Sequence, residues 1–134
     1  MLSTDALANA KAQSICEHAW GDNFERIGPI IFSQAETRDA DLKAAVEEKF
    51  PKLFEKIATF LPADKKFLTG DAVTLWDILL AGMMCNLLCN PNAKDNDLWA
   101  SVWEKAPERV KKYHADFSED MKAYLDARPQ DYTM

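Results

Sequence analysis

The side chains of this chain that could do chemistry are few, and their spacing limits what they can do together. Cys85 and Cys89 stand four apart in LWDILLAGMMCNLLC. On a helix they share one face and could offer two soft ligands to a metal, with His18 or His114 as further donors. Structural zinc takes four ligands at tight local spacings, and no such set is present; free cysteine is among the most buried residue types, so core positions are the favoured reading. Cys16, Glu17 and His18 are consecutive, as if a thiol were activated by its neighbour. Consecutive helical residues point apart, however, and the triplet cannot act as a unit. His114 beside Tyr113 reads as a packed or surface histidine rather than a base. These side chains assign no catalytic residue and no metal.

A more specific signal is GDAVTLWD, residues 70–77. Thr74 can accept the backbone N–H of Asp77 while the Asp77 carboxylate accepts that of Thr74, a capping box with Asp in the usual Glu place. Val73 before the cap and Ile78 after it are spaced as a hydrophobic staple. The cap accounts for both polar groups without catalysis, and losing either should cost about 0.5–2 kcal/mol. The helix it starts is apolar on nearly every side, which predicts a central helix with neighbours all round. Gly82 is expected to allow a close crossing.

The other elements follow from periodicity and breakers. A first helix should begin near Ser3 or Thr4 as N-cap, with Asp5 favourable against the helix dipole and Leu7, Ala10, Ile15 and Ala19 as a weak stripe. Gly21 and Gly28-Pro29 predict a bend or short loop, across which Trp20, Phe24, Ile27, Ile30, Ile31 and Phe32 continue the apolar surface. Leu42, Val46, Phe50, Leu53, Ile57 and Phe60 keep a helical period from Arg38 to Phe60, and Pro51 inside it predicts a kink or a break. Leu98, Trp99, Val102 and Trp103 form one face of a short helix, and Pro107 suits the first turn of its successor. Val110, Tyr113, His114 and Phe117 line that successor. Ser118 could then cap a last helix bearing Met121, Tyr124 and Leu125. No segment alternates with period two. The fold class is therefore all-α, an irregular bundle of about five to six helices.

Composition sets the outer limits. The 134 residues, 48% hydrophobic and 28% charged, fit a single domain over residues 1–134, since domains usually run about 100–150 residues. A net charge of −6 opposes binding to phosphate backbones, so nucleic acid is not an expected partner. Three cysteines, an odd number, point to a reducing compartment, with a cytoplasmic location as the default. The first residues carry no apolar signal core. The longest apolar run, Leu75 to Cys89, is interrupted by Asp77 and Asn86 and falls short of the roughly 20 residues that span a bilayer, so no membrane insertion is expected.

The stretch 70–77 resembles the capping box and staple that open the sixth helix of the glutathione S-transferase C-terminal domain. Upstream, EKFPKLFEKIATFLPADKKFLTGD is similar to that family's kinked helix, loop and aromatic-Leu-x-Gly turn. Downstream, KAPERVKKYHADFSEDMKAYLDARP resembles its closing helices. The likeness is to alpha, mu and sigma-type transferases and spans about residues 40 to 128. In the family, glutathione is held and activated mainly by a thioredoxin-like N-terminal domain, and the C-terminal domain contributes apolar wall and part of the dimer interface. The resemblance therefore implies no cofactor for this chain, with glutathione entering only if a thioredoxin-like domain is supplied. Trp20, Phe24 and Ile27, with Tyr132 and Met134, occupy by region the hydrophobic pocket or docking face, which should lie along the first helix and the start of the central one. Three functions follow as expectations. The first is a non-catalytic module that assembles with itself or with another protein. The second is the C-terminal half of a transferase conjugating glutathione to hydrophobic electrophiles. The third is a carrier of a small hydrophobic ligand. Whether Met1 is a natural start separates the first two.

Overall fold

The computed structural model describes residues 1–129. In chain order it contains α1 (Ala6–Glu17), a π-helical segment (His18–Phe24), α2 (Glu25–Ile31), α3 (Arg38–Phe60) and α4 (Leu75–Met83). A second π-helical segment (Met84–Leu88), α5 (Asn96–Trp103), α6 (Glu108–Asp120) and α7 (Lys122–Ala127) follow. No strand occurs among the described residues. The chain is all-α.

The first helix is capped by Asp5, not by Ser3 or Thr4. Asp5 Oδ1 accepts the N–H groups of Leu7 and Ala8 at 2.9 and 3.0 Å, while the Ser3 hydroxyl accepts the Asp5 N–H and holds it in the extended conformation a cap requires. The buried stripe is likewise displaced. Ala12, Ile15, Cys16 and Ala19 face the core, whereas Leu7 is 65% exposed; spacings of three, one and three are a better helical face than those expected.

No loop interrupts the chain at Gly21. Helix continues from α1 through the π segment into α2, with Pro29 carried inside α2. The wide turn has its own anchor: the buried Asn23 donates through Nδ2 to the His18 carbonyl at 2.9 Å, five residues back. Pro51 does not break α3 either. Its missing N–H leaves only the carbonyl of the solvent-exposed Glu47 short of a partner. Phe50, Leu53 and Phe54 are buried around it, each contributing about 1.5–3 kcal/mol, which together exceeds the roughly 3 kcal/mol that an interior proline costs.

Edge-on aromatic contacts carry α3 across to its neighbours. Phe50 meets Trp99 of α5 at 5.7 Å between ring centroids, Phe54 meets Trp103 at 5.7 Å, and Trp103 meets His114 of α6 at 5.2 Å. Near the other end, the buried Arg38 guanidinium donates to the Ile31 carbonyl at the end of α2 and to both carboxylate oxygens of Asp95 ahead of α5. That pair raises the Arg38 pKa and lowers that of Asp95, each through hydrogen bonding to the other. Ser118 starts no helix. It lies inside α6, and α7 begins after Met121.

Candidate functional site

The chemistry of this domain is organised around α4, whose two sides are built differently. The inward side carries Asp77, which is fully buried. The capping box between Thr74 and Asp77 is formed. Asp77 Oδ2 accepts the Thr74 N–H at 2.9 Å and the Thr74 hydroxyl at 2.7 Å. Its Oδ1 accepts the N–H of Leu68 at 3.0 Å and the hydroxyl of Tyr113 at 3.1 Å. One carboxylate thus joins the turn before α4, the cap itself and the middle of α6. Burial and the nearby Asp77 carboxylate push the Tyr113 phenol well above its usual range. With all four donors supplied from within the fold, the arrangement holds elements together.

The outward side is only partly covered by the described residues. Leu75, Ile78 and Leu79 are exposed, Ile78 by 45%, so α4 is not covered all round. Gly82, expected to permit a close crossing, has nothing within 4 Å of where its Cβ would stand. Trp20 from the first π segment borders this face; its indole N–H donates to the Leu79 carbonyl at 3.1 Å and its ring lies 4.8 Å from that of Phe24. Val73 packs partly buried against the core, while Ile78 faces outward.

Phe24 is half-buried beside Trp20. Ile27 does not belong to this surface: it is 1% exposed and lies in the core, because the π segment resets the helical register and turns the following residues inward. Tyr132 and Met134 lie outside the described residues. Continuing past Ile78, a cleft of about 300 Å³ opens between α4, α6 and α7, lined by Gly82, Cys85, Phe117, Met121 and Tyr124 among others.

The three thiols sit in different surroundings. Cys16 is buried and donates to the Trp76 carbonyl at 3.3 Å, and burial pushes it up to about 12. Its sequence neighbour His18 points elsewhere, pairing with Asp22 at 2.6 Å. Cys89 is half-buried and also raised by burial to about 12. Cys85 lies beside His114, with 3.4 Å between Sγ and Nε2. Among the described residues no group of three or more His, Cys, Asp or Glu side chains is placed to hold a metal. None of their helices is long and apolar enough to cross a membrane.

The resemblance placed a docking face at the start of the central helix, but which of its residues stay exposed, Leu75, Ile78 and Leu79, and the Cys85–His114 contact escaped the sequence. A helix that is apolar all round does not mark its uncovered residues, and residues 29 positions apart meet only through the fold. The model of a family described as glutathione S-transferase, C-terminal domain, matches residues 21–128. Neither a comparison with curated proteins nor one with solved structures produced a match.

Proposed function

Since the chain belongs to the glutathione S-transferase C-terminal domain family, we propose that it is an assembly module. In this reading it is one helical domain over residues 1–134 that docks a protein partner or a second copy of itself, without a glutathione-activating site of its own. The supporting observation is the exposed apolar face formed by Leu75, Ile78, Leu79 and Trp20. Contiguous apolar surface of this kind on a folded domain usually marks a contact site. The acidic net charge of −6 and the odd cysteine count favour a cytoplasmic protein partner over nucleic acid.

A second reading rests on the family itself. The same face could receive a thioredoxin-like domain, which would supply glutathione and make the chain the C-terminal half of a transferase acting on hydrophobic electrophiles. The cleft beside α7 supports a third, a carrier for a small hydrophobic ligand, which a saturable titration with a fluorescent hydrophobe would reveal. Light scattering after size exclusion separates the first two. The full chain is run alone across a hundredfold concentration range, then with a thioredoxin-like domain, and glutathione conjugation is assayed in parallel. Self-association without conjugation supports the assembly module, and conjugation that appears only with the added domain supports the second reading. A strict monomer that binds neither itself nor the added domain overturns both.

A further inference from the structure

A second cavity, of about 510 Å³, lies where the end of the second π segment, the loop before α5, α5 itself and the middle of α6 meet. Its volume falls within the roughly 300–1,000 Å³ typical of small-molecule sites. It shares no lining residue with the cleft beside α7 and none with the exposed face of α4. Leu88, Pro91 and Ala100 supply apolar wall. Polar groups without partners supply the rest. The indole N–H of Trp20 donates to the Leu79 carbonyl, that of Trp76 to Asn9 Oδ1 and that of Trp99 to the Lys94 carbonyl. Trp103, in the cavity wall, has no partner for its N–H among the described residues. No buried side-chain nitrogen or oxygen among them lacks a hydrogen bond, so this N–H is open to solvent. His114, also in the wall, engages Cys85 and Ser118 through Nε2 and leaves Nδ1 open.

The wall also has a definite sign of charge. Glu104 lines it; its main-chain carbonyl accepts from Lys111 Nζ at 3.0 Å, while its carboxylate forms no ion pair among the described residues. The Lys111 ammonium is shared with Glu108 at 3.5 Å. The cleft beside α7 has Arg128 in its wall, and the groove between α1 and the end of α3 has Lys11. Here the described wall holds neither Lys nor Arg, and burial lowers His114, leaving its imidazole neutral at pH 7. The Glu104 carboxylate is the formal charge that remains.

We propose that this cavity binds a small organic amine in its protonated form that also carries an oxygen acceptor, the ammonium pairing with Glu104 and the oxygen accepting from the Trp103 indole N–H. A carboxylate only accepts and an indole N–H only donates, so both functions are required of one ligand. The Asn96 amide offers a further acceptor to the ammonium through Oδ1, because its Nδ2 is held by the Pro91 carbonyl at 3.0 Å. Little ordering is needed on binding. The Trp103 ring is fixed edge-on by Phe54 and His114, and Arg38 grips both carboxylate oxygens of Asp95, which stands in the left-handed region, at φ 61°, just ahead of Asn96.

Titration of the isotopically labelled full chain with tyramine, an aryl amine bearing a phenolic oxygen, tests this through the indole N–H signals in NMR. Trp103→Phe, which keeps an aromatic ring against Phe54 and His114, identifies the Trp103 signal by its loss. Tyramine should shift that signal saturably and leave those of Trp20 and Trp76 in place. Phenethylamine, which lacks the oxygen, should bind about threefold or more weakly. para-Hydroxyphenylacetate, which carries a carboxylate in place of the ammonium, should not bind. Glu104→Gln keeps the size of an exposed, unpaired side chain, so the thermal melt should be unchanged while tyramine binding weakens at least about tenfold. A Trp103 signal that fails to saturate by about 10 mM tyramine, a carboxylate that binds as tightly as the amine, or tyramine binding untouched by Glu104→Gln each overturns the proposal.

Discussion

Asp77 and Ile78 are adjacent in α4 and opposite in circumstance. The first is a charged residue with no exposure, satisfied by four donors from three parts of the chain; the second is a large apolar residue left 45% exposed. The usual rule that apolar side chains go inside and charges stay outside is inverted across one peptide bond. A buried carboxylate is tolerable when its hydrogen bonds are complete, and an exposed apolar face is tolerable when it is reserved for contact. The comparison separates residues that determine whether the domain folds from residues that determine what it meets. Each side can be broken without the other.

Breaking the inward side gives the largest effect. Asp77→Ala removes the acceptor from the Leu68 and Thr74 N–H groups and the Tyr113 hydroxyl, all in buried surroundings. Each buried donor left unpaired costs about 1–3 kcal/mol, so a loss of at least about 3 kcal/mol is expected. That is a large share of the roughly 5–15 kcal/mol of a typical domain and should lower Tm by about 10 °C or more. Thr74→Ala removes the cap and one of the four donors to Asp77, leaves the other three in place, and should cost about 0.5–2 kcal/mol in urea unfolding. If the two variants proved equally mild, Asp77 would be no more than a cap.

That ordering also marks how far the sequence could be read. Thr74 and Asp77 are three residues apart, and local spacing dictates a capping box in any helix start. Leu68 lies nine residues from Asp77 and Tyr113 thirty-six, so the rest of the node depends on how α6 packs. Arg38 and Asp95, 57 apart, were invisible for the same reason. The all-α class and the bundle followed from periodicity, because a 3.6-residue repeat is a property of each segment by itself. The π segments did not, since nothing in HAWGDNF or MCNLL distinguishes a widened turn from an ordinary one. Consequently Trp20 could be associated with the face but Ile27 was misassigned to it, and Cys85 could be placed in the core but not beside His114.

Breaking the outward side should give the smallest change in stability and a complete change in behaviour. In Ile78→Gln combined with Leu79→Gln, both replacements stay within the range of good-to-moderate helix formers, so α4 loses little intrinsic propensity. The Trp20 indole donates to the backbone carbonyl of Leu79 rather than to its side chain, so that hydrogen bond survives the substitution. Surface changes away from caps and buried networks usually stay within about 0.5 kcal/mol. Denaturant unfolding should therefore superimpose on that of the parent chain, while the mass increase by light scattering, whether from a second copy or an added thioredoxin-like domain, disappears. Should the double variant instead unfold as readily as Asp77→Ala, the outward side would be structural after all. Should it keep full association, the contact would have to lie elsewhere on the bundle, and Leu75 and Trp20 would lose their assignment with it.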